Sequence, residues 1–98
     1  PVAREMTELL ARAAREVESL LGYLEAPDGY RPYVVRIHEL ENEGDTLWMR
    51  ATRELFRDEA DPRALLRWHQ IYAALEAAID QCESSARLIE RAITRQLD

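Results

Sequence analysis

The most constraining feature of this chain is a run of apolar residues spaced alternately three and four apart along its last third. Leu65, Trp68, Tyr72, Leu75, Ile79, Cys82, Ala86, Ile89 and Ile93 form one continuous seam. That spacing places every member on one face of an α-helix, and such a stripe must be buried against other helices. Two further seams precede it. Met6, Leu10, Ala13, Val17, Leu20 and Leu24 form the first, and Ile37, Leu40, Gly44, Leu47, Ala51 and Leu55 the second. Glu25-Ala26-Pro27-Asp28-Gly29 separates these two, because proline cannot continue the helical ladder and glycine frees the turn. Pro32 suits the first turn of the second helix, and Asp61-Pro62 reads as an N-cap followed by a first-turn proline.

The expected fold is therefore all-α, with helices over about residues 2–26, 32–57 and 62–97 in a single domain, 1–98. Sustained seams also suit one long coiled coil, but the breaks at Pro27 and Pro62 favour a chain that folds back. Short loops make neighbouring helices antiparallel, which gives a three-helix bundle. A bundle of 98 residues buries only one small core. It is expected to pack against a second bundle, either as a homo-oligomer or as a second three-helix repeat. The opening on Pro1, already in helical pattern and without a start Met, reads as a piece of something longer.

Nineteen acidic residues against 13 basic ones give a net charge of −6, and every basic residue is Arg. Phosphate backbones are bound by clustered cations, so nucleic acid is not an expected partner. Cations or basic protein surfaces suit an acidic chain better. Cys82 is alone, which leaves no disulfide framework and points to a reducing cytoplasm. No apolar run approaches the ~20 residues needed to cross a membrane. Arg4, Glu5 and Glu8 interrupt anything resembling a signal peptide.

One motif occurs twice. Leu40-Glu41-Asn42-Glu43-Gly44-Asp45 and Leu75-Glu76-Ala77-Ala78-Ile79-Asp80 each place Glu after a seam leucine and Asp four later. Residues four apart share a helical face, so each helix presents two carboxylates one turn apart. A rotation of ~100° per residue sets them on the flank of the seam. Glu83, seven after Glu76, extends the row. Folding the hairpin near Glu59 and Ala60 brings Glu41 level with Ala78 and Asp45 level with Ala74. The two pairs then meet at nearly the same height.

Four carboxylates at one level repel and raise one another's pKa. A cation, an Arg network or plain solvent must offset this. Hard oxygen donors on facing helices suit Mg²⁺, Ca²⁺, Mn²⁺ or iron. Helical di-metal carboxylate proteins add Glu-x-x-His on two helices. Here His38 precedes Glu41 in the reverse order and the third helix has no counterpart, which weakens an oxidative di-iron reading. The plainer alternative is a solvated or Arg-paired face, with Arg36 level with Glu83 and Arg87 within reach of the acids.

Ile37-His38-Glu39-Leu40-Glu41-Asn42-Glu43-Gly44-Asp45 resembles the helix motif of PhoU-like proteins. More closely, it is similar to the branch of phosphate-transport regulators, or Pit-transporter accessory proteins. Ile71 to Glu83 resembles that branch's final helix, and Leu55-Phe56 before Asp61-Pro62 its usual connection. The resemblance covers about Arg36 to the end and implies the C-terminal three-helix repeat of a protein built from two. It further implies a non-enzymatic regulatory or accessory domain, acting on a phosphate transporter or signalling protein from the inner face of the membrane. Carried over by position, Glu41, Asp45, Glu76 and Asp80 would hold a divalent or iron-type metal, multinuclear in the family, with Glu83 beside them. Ala77 to Asp80 depart from the Arg-Ile-Gly-Asp-like run of PhoU proper, so no particular metal is implied.

The remaining reactive side chains carry less. His38 is expected to be exposed, with a helper-ligand role as the alternative. His69 has no ligand partner at helical spacing and reads as a surface residue. Cys82 reads as a small core residue, and Ser84-Ser85 lacks a paired base for nucleophilic catalysis. Trp48, one turn after Asp45, reads as packing, with a shield or docking role as the alternative. Three functions stay open on the residues alone: a metal-binding regulatory domain, a plain helical interaction module, and a carboxylate-bundle metalloenzyme.

Overall fold

A computed structural model describes residues 2–97, with side chains described through Arg95. Helix α1 covers Val2–Leu21 and runs into a 3-10 turn over Gly22–Leu24. Helix α2 covers Arg31–Asp58 and α3 covers Pro62–Leu97. The three pack side by side along a rod of 56 × 16 × 15 Å. At ~1.5 Å per residue, the 36 residues of α3 span that whole length, so α3 is the spine against which α1 and α2 are laid. All-α three-helix packing is as the seams predict.

Local chemistry sets the helix ends. The Arg63 N–H donates to Asp61 Oδ1 at 3.1 Å, so Asp61 caps α3 and Pro62 takes the first-turn position where no donor is needed. Glu59 is extended, with φ −89° and ψ 117°, and breaks α2 from α3. Gly29 has φ +89°, a conformation that L side chains rarely adopt, and it turns the chain toward α2. The first helix is shorter than the seam implied. It ends at Leu21, and Leu24 and Ala26 lie beyond it, because Gly22 lets the backbone tighten into a 3-10 turn before Pro27.

The core has two parts. Near the α1–α2 turn, Leu20, Tyr30, Ile37, Ala86 and Ile93 are buried together. In the middle, Leu9, Ala13, Leu40 and Ile79 form the second part, with Leu47 and Cys82 packed on it. A Cβ on Gly44 would lie 3.2 Å from Ile79 Cδ1 and 3.3 Å from its Cγ2, so the glycine lets Ile79 nest against the α2 backbone. This contact sets the hairpin register. Ile79 lies four residues further along α3 than a turn at Glu59 and Ala60 would place beside Gly44.

Three seam assignments shift. Leu9 is buried where Leu10 was expected, and Glu83 takes the most buried place beside Cys82. Trp68 sits at a seam position yet is 41% exposed. Val2 of α1 lines a groove with Leu55 and Tyr72, one turn along α3 from Trp68. The indole stacks on Tyr72 at 5.9 Å instead.

Ion pairs knit α1 to α2: Arg50 to Glu5 at 3.2 Å, Arg36 to Glu16 at 3.2 Å and Arg12 to Glu43 at 3.6 Å. Arg36 thus turns to α1 and does not meet Glu83. No helix among the described residues is long and apolar enough to cross a membrane.

Candidate metal centre

The outer face of the α2–α3 pair, opposite α1, gathers the motif residues. Glu41 and Asp45 rise one turn apart from α2, and Glu76 approaches them from α3. One oxygen from each lies within 4.8 Å of the others. A second group shares Glu41 and adds His38 and Glu83, again within 4.8 Å. Donors bonded to one ion at 2.0–2.4 Å stand up to ~4–4.8 Å apart, so both groups are of a size to close on a cation. Asp80 is exposed and lies outside both groups. It stands at the rim, where its charge still acts on Glu41 and Glu76. The sequence-expected set thus converges as Glu41, Asp45 and Glu76 in one cluster, Glu83 in the next, and Asp80 at the edge.

His38 is the residue sequence reasoning underweighted. It is exposed, as expected, but its ring reaches across to α3 and places Nδ1 2.5 Å from Glu83 Oε2. The neutral tautomer that fits has Nδ1–H donating to that carboxylate. Nε2 then accepts from the Asn42 amide at 3.3 Å, one turn along α2. Arg87 donates to the other Glu83 oxygen at 2.6 Å. Glu83 is only 7% exposed, and two donors satisfy what would otherwise be a costly buried charge. Its burial was hidden because Cys82, the apolar neighbour, fits the seam spacing better.

Glu41, Asp45, Glu76 and Asp80 are different. Among the described residues, no Arg or His nitrogen lies within 4.0 Å of their carboxylates. Of the five expected ligands, Glu83 alone meets an Arg among the described residues. Partial burial pushes the Glu41 carboxyl up to about 7, helped by its hydrogen bond and charge contact with Asp45 and by the charges of Glu83 and Asp80. Glu76 is raised for the same reasons: burial first, then Asp45 and Asp80. Asp45 acts on both. Near neutral pH Glu41 is therefore protonated in part of the population. That proton offsets part of the repulsion, and a cation would displace it.

The chemistry of the donors fits a hard or borderline divalent ion. Three carboxylates make an oxygen-only group, while His38 brings imidazole nitrogen to the adjoining one. Cys82 contributes no thiolate, since burial raises its pKa and it packs on the Leu9 cluster.

No protein-family model matches this chain, and no solved structure matches it. It is similar to the UPF0111 protein YkaA of Bacillus subtilis, with 32% identity over 65 residues. The similarity covers 66% of this chain and 32% of that protein, so the matched stretch spans about a third of the relative's length.

Proposed function

We propose that this chain is a PhoU-like regulatory or accessory domain without catalytic activity, which binds a divalent or iron-type metal on its α2–α3 face. In this reading Glu41, Asp45 and Glu76 hold the ion, and His38 and Glu83 border a second position sharing Glu41. Asp80 contributes at the rim. The observation that carries it is the half-buried Glu41–Asp45–Glu76 cluster, which lacks any cationic side chain among the described residues. The similarity to a UPF0111 protein supports the PhoU-like assignment. The link to inorganic phosphate transport rests on that assignment. Under it, the chain acts at the inner face of the membrane through contacts with a phosphate transporter or signalling protein, paired with a second repeat or a second copy.

The metal supplies positive charge that fixes the acidic side chains, and the chain's own residues do the rest. His38 reaches from α2 to Glu83 on α3 and so ties the two helices beside the cluster, while Arg87 fixes the Glu83 side chain from within α3. Equilibrium dialysis of metal-stripped protein against Fe²⁺, Zn²⁺, Mn²⁺ and Mg²⁺ tests this. Retention of at least one ion, lost in the double variant Glu41→Gln with Glu76→Gln, is expected. No retention of any of the four ends the metal reading.

A second reading, a helical interaction module that needs no metal, is favoured by one observation. Large apolar residues, Phe56 and Leu66 among them, stand exposed on α2 and α3. A melting temperature unchanged by chelator, with no ion retained, selects it.

A further inference from the structure

Charge is spread unevenly over the three faces of the rod. On α1, Glu5, Arg12 and Glu16 pair with α2, while Met6, Leu9, Ala13 and Leu20 are buried. The remaining flank of α1, on the α3 side, carries Ala3, Thr7, Leu10, Ala14, Val17 and Leu21 at alternating spacings of four and three. On α3, Glu76 and Glu83 meet α2 residues, while Ile79, Ala86 and Ile93 are buried. Its flank on the α1 side carries Ile71, Ala74, Ala78, Gln81, Ser85, Leu88 and Ala92 at the same spacing. Neither row holds a charge, in a chain that is 33% charged. No member of either row is buried, and Leu21 and Leu88 are 48% and 64% exposed. Thr7 donates to the Ala3 carbonyl at 2.8 Å, so its hydroxyl needs no outside partner. The cross-helix ion pairs join α1 to α2, and His38 joins α2 to α3. None joins α1 to α3 among the described residues.

The edge of this uncharged face indicates what covers it. Arg4, Glu8, Arg15 and Glu18 stand exposed on the outward side of α1, and among the described residues none has an ion-pair partner. Their order, basic–acidic–basic–acidic, becomes its own complement when reversed. Arg4 and Glu18 are equidistant from Ala11, and Glu8 and Arg15 nearly so. Two antiparallel copies of α1 crossing at Ala11 would set Arg4 against Glu18 of the second copy and Glu8 against its Arg15. A twofold axis makes each contact occur twice. The third helix points to the same axis. Val2 shares a groove with Tyr72 and Leu9 packs with Ile79, in both cases 70 positions apart. Ala11 is then level with Gln81, the middle member of the α3 row. A primary amide both donates and accepts, so Gln81 can pair with its own copy across the axis. Arg67 and Arg95 come level in this arrangement, but both lie beyond the ends of the row and are exposed, where salt screens them.

We propose that two copies of this chain associate through their α1–α3 faces, antiparallel about an axis through Ala11 and Gln81. Two helices each ~10 Å across, over 18 residues at ~1.5 Å, offer about 500 Å² per copy. The pair buries on the order of 1,000 Å², enough for a specific interface of modest strength. Ala14, Ala74 and Ala78 keep the face low, so the helices of the two copies can approach closely. Opposed directions also set the helix dipoles of the two copies against each other favourably. The carboxylate cluster stays uncovered on the α2–α3 face, so the association neither needs a metal nor blocks one.

Sedimentation equilibrium of the chain in EDTA, from about 1 to 100 μM, tests this, and a dimer with a micromolar Kd is expected. Ala74→Glu with Leu88→Glu, both at exposed positions, should weaken association at least tenfold, with circular dichroism showing the variant folded. Arg4→Glu should weaken it several-fold, and adding Glu18→Arg should restore it, because the swap recreates both pairs in the antiparallel dimer. A monomer at every concentration overturns the proposal. So does a dimer indifferent to Ala74→Glu with Leu88→Glu, or an Arg4→Glu loss that Glu18→Arg does not rescue. A dimer weakened instead by Phe56→Ser with Leu66→Ser places the contact on another face, with the same consequence. Metal retention is read separately by dialysis. A chain that dimerises but retains no ion keeps this inference and ends the metal reading, and a monomer that retains one does the reverse.

Discussion

Both faces of α2 are rich in carboxylates, but they are treated differently. On the side toward α1, Glu5, Glu16 and Glu43 each find an arginine across the helix boundary. On the side away from α1, Glu41, Asp45 and Glu76 lie together with no Arg beside them among the described residues. The first arrangement is what fold selection alone produces: exposed pairs that fix little and cost little. The second carries a repulsion that an arginine on α3 would remove, at no loss to the core. Acids clustered without counter-charges oppose the folded state locally, and such conflicts are expected where a site answers to something other than stability.

The comparison breaks most sharply if the spacer between α2 and α3 is removed. Ile79 is fully buried, nests on Gly44, and lies next to Asp80 in the chain. Ile79→Ala should cost about 3 kcal/mol in urea denaturation, through lost burial and the cavity left behind. It should also loosen the carboxylate cluster while leaving the α1–α2 ion pairs in place. If the cost falls below about 1 kcal/mol, α2 and α3 are not held by this contact and the cluster geometry has another source.

The next effect is a pH dependence belonging to one face only. Glu41 ionises near its ordinary 4.5 in the unfolded chain but only at about 7 when folded. Between those values folding takes up a proton, so the associated stability is fully present below pH 4.5 and gone above about 7. With its partial exposure counted, the metal-free chain should lose about 2 kcal/mol as pH rises through that window. Glu41→Gln should flatten the profile and raise stability at pH 8. A wild-type profile already flat between pH 5 and 8 in EDTA would show that the cluster is solvated and its acids independent.

How far this was readable beforehand depends on what each residue answers to. Asp61-Pro62 announced the start of α3 because capping is local chemistry, and the structure places the cap there. The repeated Glu-x-x-x-Asp spacing put the carboxylates on one face, since helical periodicity alone decides that. Trp68 could not be judged from periodicity, because a seam position fixes the face of α3 but not what lies opposite it. His38 and Glu83 were harder still. Their contact joins residues 45 positions apart, and it depends on a register set by how Gly44 and Ile79 interlock. Folding the hairpin by its turn alone misses that register.

Glu83 tests the border between the two faces. Buried and held by Arg87 and His38, it is the one acid of the outer face, among the described residues, that meets an Arg. Arg87→Ala should cost about 1–2 kcal/mol, because a buried carboxylate loses a charge-assisted donor and only His38 remains. A cost below about 0.5 kcal/mol would mean that His38 alone satisfies the carboxylate.

The smallest expected effect is the most useful control. Arg50 bridges Glu5 on α1 and approaches Glu54 within α2, and all three side chains are about half exposed. Arg50→Ala should therefore change stability by less than about 0.5 kcal/mol, with no change in pH profile and none in metal retention. If it instead shifts metal retention, the two faces are coupled through α2, and the division between pairs that serve the fold and acids that serve a ligand fails. If it is silent while Glu41→Gln is not, then carboxylates of the same helix differ in role because of what stands opposite them, which no count of charges along the sequence could reveal.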